Sequence, residues 1–528
     1  MIVDAATCPD TPSGADVVIA GAGPAGIVIA ERLGASGVNV LLLESGGRHA
    51  GRRTQRLNRA DSVGLRSFSA AVSRFRCFGG STSQWGGQCR PLDAADFDAR
   101  DDHAGSGWPF GVDELLPYYR QAARVCRLPS GFDETPWYIA QSTADGAHGV
   151  SRISYLFSYP RDFGELYFER FSRLTTVRVL LHATVTRIRL NRSARRVSAL
   201  TVRTPNGRQF EVSAGTTILA GGGIENPRLL LASDDVVRCG IGNENDLVGR
   251  YFSDHPYAFV GSLRGNGSDA AALTIDGYDG VGITQPGHQA LCLDDATVKR
   301  ERLNPCALYL VRRPSYKATA EYYSRAGRSF NYLVDLLRRR ETADRSLLRE
   351  LGNVLAAPAD VAGTIARAVR HAAKTDHTLA VRVAMASRPH RDSRVMLGTN
   401  RDWSGLPIPR IDWRLHDDDR RGPRALLEAA SGWFAANGLG RLVEIPWDED
   451  SGWPRGMTGG KHHMGTTRMH VNPRHGVVDA NGKVHGVDDL YVAGSSVFPA
   501  GGYANPTLTI VALALRLADR LQDGATAR

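Results

Sequence analysis

The 528-residue chain is poor in lysine: only five of its 65 basic residues are Lys, and the rest are Arg scattered along the sequence. The formal charge of +10 would suit nucleic acid or an anionic surface if it were clustered, but dispersal removes that reading. The one local run, Arg338-Arg339-Arg340, reads as a solvated face after a helical stretch. Cysteine is sparse and odd in number: Cys8, Cys77, Cys89, Cys126, Cys239, Cys292 and Cys306, with no Cys-x-x-Cys pair. That excludes a disulfide framework and a zinc site, so no metal is expected and reduced thiols fit best. No apolar run reaches the roughly 18 residues of a membrane span, and the N-terminus has no basic region followed by an apolar core. A cytoplasmic location is the expectation, with no membrane span and no nucleic-acid partner.

The balance of 42% hydrophobic and 23% charged residues is that of an ordinary globular protein. The length asks for two intertwined domains rather than one core. An apolar run, Asp16 to Ala20, enters a glycine turn; a helical stretch (Ile27 to Leu33) and a second apolar run (Val38 to Leu43) follow, which makes a β-α-β unit. Thr175 to Leu190 and Ala199 to Val212 alternate like antiparallel strands, and Asn206-Gly207 is a hairpin signal. Thr217 to Ala220 is a strand ending at Gly221-Gly222-Gly223, and Leu490 to Ala493 is another, followed by a helix from Pro506 to about Leu521. Between about His255 and Trp453, Arg- and Ala-rich helical stretches (Phe330 to Leu355, Val361 to Lys374) adjoin strand-like runs such as Thr378 to Ala384. These helices are expected to pack on their own domain rather than form a membrane or partner surface.

Gly21-Ala22-Gly23-Pro24-Ala25-Gly26 is a G-x-G-x-x-G set directly after a strand and opening a helix. Gly21 permits the tight turn, Gly23 lets a pyrophosphate approach the backbone, and Gly26 allows close helix–strand packing. Glu44, at the end of the second strand, is placed to accept from a ribose diol. Such a motif alone is weak, a plain structural turn being the rival. Here strand, turn, helix, strand and acid agree on a dinucleotide. The glycines after Glu44 suggest FAD over NAD without deciding it.

The C-terminal segment carries the chemistry. Lys461-His462-His463-Met464-Gly465-Thr466 sets two histidines before a glycine turn, and Gly501-Gly502-Tyr503-Ala504-Asn505-Pro506-Thr507 precedes the last helix. Pro suits a first helical turn, and the helix start would favour negative charge beside it. With Gly79 to Gly87, Gly107-Trp108-Pro109, Leu116-Pro117-Tyr118-Tyr119 and Asp254-His255-Pro256, these motifs in order resemble the glucose–methanol–choline (GMC) oxidoreductases. Within that family they are most similar to pyranose oxidases and bacterial oxidases of sugars, glycosides and aminoglycosides.

The resemblance implies an α/β fold: a Rossmann-like FAD-binding domain (1–100, 165–254 and 455–528) and a discontinuous α+β substrate-binding domain (101–164 and 255–454), an antiparallel sheet with helices. It implies His462 as catalytic base and Asn505 as its partner, with His463 the rival; His255, after Asp254, is expected to be structural, bonding backbone, or to support the site from behind. For the cofactor it implies Gly21, Gly23, Gly26, Glu44, Val185 at the adenine, Gly80, Ser81 and Thr82 over the flavin, Gly494 and Ser495 by the pyrophosphate, and Pro506 and Thr507. Fungal pyranose oxidases carry a flavin-linking histidine where this chain has Gln84, so non-covalent FAD is expected. The implied reaction is oxidation of an alcohol on a sugar, glycoside or aminoglycoside-like polyol, with oxygen or a quinone-like molecule as acceptor. A lyase of the same family, or an oxidase of a non-sugar alcohol, is the alternative. Trp447-Asp448-Glu449-Asp450 would suit a cationic amino sugar if it faced the site, a solvated loop being the plainer reading.

Overall fold

The computed structural model describes residues 1–8, 12, 14–65, 70–99, 107–129, 143–144, 149–159, 162–265, 270–276, 286–312, 329–330, 333, 347–373, 379–449 and 451–526. Two large sheets organise them. In the first, strands Ile2–Asp4, Val177–Leu181, Val40–Leu43, Gly14–Ala20 and Gln209–Leu219 lie side by side, all parallel, and Leu490–Val492 adds in parallel to the last. Fully apolar strands such as Val40–Leu43, buried throughout, are what a parallel sheet covered on both faces requires. Helices Pro24–Ala35 and Thr507–Thr526 pack on it and on each other through one continuous core.

The 11-residue strand Gln209–Leu219 serves two neighbours. Its start pairs antiparallel with Val197–Arg203, and its end runs parallel to Gly14–Ala20. The expected hairpin is present, with Gly207 at φ +92° between the antiparallel strands. One expectation needs correction. Of the stretch Thr175 to Leu190, only Thr184–Leu190 is antiparallel, while Val177–Leu181 belongs to the parallel sheet. Alternation reports which face is buried, not strand direction.

The second sheet runs Arg441–Glu444, Pro256–Arg264, Leu379–Met385, Cys306–Arg312, Gly287–Leu293, Val150–Phe157 and Gln88–Cys89, antiparallel along this path. One face buries Val260, Leu308, Val381 and Val383 under helix Arg421–Ala436, whose Leu426, Trp433 and Phe434 complete that core. The other face carries Tyr155, Tyr257, Phe259 and Tyr309. A small sheet of Arg394–Arg401, Pro407–Asp412 and Asp61–Ser62 lies beside them.

Arg338-Arg339-Arg340 and Asp450 lie outside the described residues. The helical stretches appear as Leu347–Ala356 and Pro358–Ala373. Leu348 and Leu355 there are 84% and 78% exposed, so that face is not packed in the way expected of an insertion. Among the described residues no helix is long and apolar enough to cross a membrane.

Candidate active site

A cavity of about 1280 Å³ runs from the ends of the parallel strands to the aromatic face of the second sheet. It exceeds the roughly 300–1,000 Å³ of an ordinary small-molecule pocket, which is room for a dinucleotide and a substrate together. Gly21, Gly23, Glu44, Gly80, Ser81, Thr82, Val185, Gly494, Ser495, Pro506, Thr507, His462 and Asn505 all line it. Gly26 does not, and its role is visible in the packing.

The glycine turn explains itself by contact. Gly21 sits at φ +112°, and a Cβ there would lie 2.6 Å from the Ala220 carbonyl oxygen. On Gly26 it would lie 1.9 Å from the Gly21 carbonyl oxygen, whereas on Gly23 it would meet nothing within 4 Å. Gly26 is therefore required by the fold, and Gly23 is an opening. Gly80, at φ +59°, closes from above, where a Cβ would come 2.9 Å from Gly23 Cα. Gly494, at φ +100°, faces open space. Buried Glu44 accepts from the Ala22 N–H (2.9 Å) and the Gly46 N–H (2.7 Å). Burial pushes its pKa up against those two bonds. The helix Thr507–Thr526 begins at the cavity wall, with Ile510 N–H donating to Pro506 at 2.8 Å. Backbone left bare at Gly23 and Gly494, a helix start and an acid at the second strand suit the phosphates and ribose of a dinucleotide.

At the other end, His462 and Asn505 meet: Asn505 Nδ2 lies 3.3 Å from His462 Nε2. The loop bearing His462 is pinned to the start of strand Pro256–Arg264. Ser253 and Met464 exchange backbone bonds of 2.9 and 3.1 Å, and Gly460 N–H reaches the His255 carbonyl at 2.7 Å. Buried Asp254 accepts the N–H groups of His255 (2.7 Å), His462 (2.8 Å) and Lys461 (3.1 Å). Burial raises its pKa to about 7 although those bonds favour the ionised form. This explains Asp254-His255 in the sequence: the pair fastens the histidine loop.

His255 does more than bond backbone. Its Nδ1 lies 3.1 Å from His462 Nδ1, with the rings edge-on at 5.0 Å. Burial, and then His255, His463, Arg382 and Lys461, hold the His462 pKa well below the ordinary imidazole value. His463 turns elsewhere. Its Nε2 lies 3.5 Å from Ser73 Oγ, its ring stacks on Phe252, and its carbonyl accepts from Ser495 Oγ. Only His462 of the two histidines is within hydrogen-bond reach of Asn505 in the described contacts.

Two features escaped the sequence reading. Arg74, Arg76 and Arg228 converge on Glu225, with Asp402 completing the cluster at Arg228. Arg382 lines the cavity from the second sheet. Trp447, Asp448 and Glu449 do not line it. Trp447 packs under Arg424, 4.7 Å away, and Asp448 caps a turn through Ser451 N–H.

GMC oxidoreductase family models match residues 165–257 and 389–514, which include Val185, His462 and Asn505 of the cavity wall. The chain belongs to the GMC oxidoreductase family. It is accordingly an FAD-dependent oxidoreductase acting on alcohols. The chain is 26% identical to the 2-methyl-1,2-propanediol dehydrogenase of Mycolicibacterium austroafricanum, over 84% of this chain and 80% of the relative. It is 31% identical to the paromamine 6'-oxidase of Streptomyces fradiae, over 28% of this chain and 26% of the relative. The chain thus spans most of the first relative but about a quarter of the second. An FAD-dependent oxidoreductase from Chaetomium thermophilum shares the fold, with TM-score 0.59, 16% identity, and coverage of 97% of this chain and 100% of that one.

Proposed function

We propose that this GMC oxidoreductase oxidises a hydroxyl of a sugar, glycoside or similar polyol to the carbonyl, with His462 as base and Asn505 as hydrogen-bond donor. The observation that carries the reading is the 3.3 Å approach of His462 Nε2 and Asn505 Nδ2 in the wall of the cavity. An alcohol oxygen can sit about 2.8 Å from both atoms at once. Bound non-covalently, FAD would supply the acceptor for the hydride that leaves the carbinol carbon. Gly23, Gly80 and Gly494 would cover its pyrophosphate and ring, Glu44 its ribose and Val185 its adenine.

The residues divide the work by charge. A neutral imidazole is required to take the hydroxyl proton, and desolvation keeps His462 neutral to well below its ordinary pKa. Burial lowers the His255 pKa to about 4, so its ring carries a single proton near neutral pH. With that proton on Nε2, His255 Nδ1 accepts from His462 Nδ1–H across 3.1 Å. His462 Nε2 is then the bare nitrogen that faces Asn505. The Asn505 amide donates to the substrate oxygen as negative charge builds there, a role worth a few kcal/mol in a dry site. We assign 101–164 and 255–454 to a substrate-binding domain; Tyr257, Phe259 and Tyr309 of the aromatic sheet face, which line the cavity, support that assignment.

A panel of sugars, glycosides and simple alcohols, added anaerobically, tests the proposal. Bleaching of the flavin by a polyol supports it. If a hydroxylated compound is cleaved while the flavin stays oxidised, the chain is a lyase instead. The amino-sugar preference loses its structural basis, because the acidic segment at Trp447 packs away from the cavity.

A further inference from the structure

Gln88 opens the short strand Gln88–Cys89 at the edge of the second sheet and lines the cavity. It stands opposite Phe157 on strand Val150–Phe157, and on the far side of that strand His288 stands opposite Tyr155. Paired residues share a face, as do residues two apart on one strand, so Gln88 and His288 project to the same side as Tyr155 and Phe157. That is the aromatic side. Gln88 reaches across the strand between them, and its amide nitrogen lies 2.7 Å from His288 Nε2.

The proton on His288 decides which end of the amide faces it. The ring is buried, stacked on Tyr155 at 5.1 Å and edge-on to Tyr309 at 5.2 Å. Burial lowers its pKa to about 4, so it carries a single proton near neutral pH. Its Nδ1 lies 2.9 Å from the Gln289 carbonyl oxygen, which can only accept, so the proton sits on Nδ1. Nε2 is left as a bare acceptor, and only the NH2 end of Gln88 satisfies it. The carboxamide oxygen therefore turns away from His288. It has no partner among the described residues, yet it is not one of the unpaired side-chain atoms sealed from solvent. It is open.

The wall around this oxygen is apolar or already engaged. Phe157, Ile275 and Val311 line the cavity from the same sheet, and the Tyr309 hydroxyl is bonded to Arg382. A neutral oxygen fixed in such a wall disfavours anions and apolar groups and favours a donor. A sugar supplies both parts, C–H surface for the rings and a hydroxyl for the oxygen.

We propose that Gln88 is a specificity residue whose carboxamide oxygen, turned outward by His288, accepts a hydrogen bond from a substrate hydroxyl other than the one oxidised. The protein thereby takes polyols in preference to alcohols with a single hydroxyl. This rests on the reading of His462 and Asn505 as the alcohol-oxidising pair. The hydroxyl held by Gln88 is unchanged in the reaction, and its part is to orient the carbinol toward that pair.

The test uses FAD-loaded protein under anaerobic conditions, with D-glucose, D-galactose, D-xylose and their methyl glycosides as reductants. Each mono-deoxy analogue of the sugar that bleaches the flavin fastest is then compared with its parent. Loss of one particular hydroxyl is expected to lower the efficiency of reduction about tenfold or more. In Gln88→Met the parent falls to the level of that analogue, while losses at the other hydroxyls persist. His288→Phe keeps a flat ring on Tyr155 but frees the amide to turn, so discrimination weakens at the same hydroxyl alone; a merely structural role would not single out one position. Should Gln88→Met lose FAD, Gln88→Asn, whose amide stops one methylene short, carries the same comparison. Discrimination that survives the Gln88 substitution at every hydroxyl overturns the proposal, as does an unaltered protein indifferent to every deletion. A second arm needs no turnover. Calorimetric binding of the same sugars to His462→Ala protein is measured with and without Gln88→Met, and weakening of about fivefold or more is expected. Equal binding, or no binding of any of these sugars, overturns the Gln88 site. Binding weakened by Gln88→Met, with no flavin reduction by any alcohol in the unaltered protein, leaves that site standing and removes the oxidase reading.

Discussion

Replacing His255 by Phe isolates one bond in the proposed mechanism. The substitution keeps a flat ring in a fully buried position but leaves His462 Nδ1–H without the acceptor now 3.1 Å away. An unsatisfied buried donor costs about 1–3 kcal/mol, which corresponds to about 5- to 150-fold in an equilibrium or a rate. The loss falls on the tautomer with a bare Nε2, because the alternative tautomer needs no partner at Nδ1. Flavin reduction is therefore expected to slow by about 5- to 150-fold, with substrate affinity and FAD content little changed. Rapid-mixing absorbance of the bound flavin, followed anaerobically over a range of substrate concentrations, separates rate from affinity. His255→Gln, whose carboxamide oxygen can accept the same bond, should recover part of the rate. Reduction by His255→Phe at the wild-type rate would refute the tautomer argument, and a change in affinity alone would show that the ring merely shapes the pocket.

Four further outcomes follow from particular contacts. Gly23→Ala should fold normally, since a Cβ there meets nothing, yet lose FAD by blocking the pyrophosphate, whereas Gly26→Ala should fail to fold; melting curves and flavin content distinguish the two, and equal behaviour would contradict the assignment. Acid or heat should release free yellow cofactor into the supernatant because Gln84 has no nucleophilic ring nitrogen, and flavin retained on the precipitate would count against that. The acid limb of the reduction rate should lie well below the ordinary histidine pKa, because His462 works neutral and loses competence only as pH falls through its lowered pKa; a limb near about pH 6.5 would be the wrong result. Burial holds His255 and His288 down to about 4 and His463 to about 3. The unfolded chain therefore binds protons that the native state refuses, and stability should fall as pH drops below about 6.5, by up to roughly 3 kcal/mol each for His255 and His288 and roughly 5 for His463, partly offset by Asp254. Thermal midpoints that rise on acidification would contradict this.

What the sequence disclosed depends on the kind of constraint. Gly21 and Gly26 were legible because close backbone approach admits no side chain, so the residue type itself records the geometry. The nucleotide end needed only this local logic. His462 and Asn505 came from ordered motifs, and local chemistry could not separate His462 from His463; the ring contacts to Asn505 and to Ser73 do. Arg382 was not legible, because its surroundings arise from registers with Phe259 and Tyr309 on strands distant in the chain. The cluster of Arg74, Arg76 and Arg228 on Glu225 is likewise a product of folding. Val177–Leu181 was assigned to the wrong kind of sheet because burial on a strand carries no sign of direction. At Trp447 the plainer reading, a loop away from the site, fits the structure: Trp447, Asp448 and Glu449 do not line the cavity, and Arg424 covers the ring.

The central claim is that His462 takes a hydroxyl proton while the same carbon surrenders hydride. The most direct measurement is single-turnover anaerobic reduction by a polyol with and without deuterium on its carbinol carbon, in the unaltered protein and in His462→Ala. The account predicts bleaching slowed by deuterium, and a His462→Ala protein that retains FAD but reduces it about a hundredfold more slowly or worse. A His462→Ala protein that bleaches as fast as the unaltered one would contradict it.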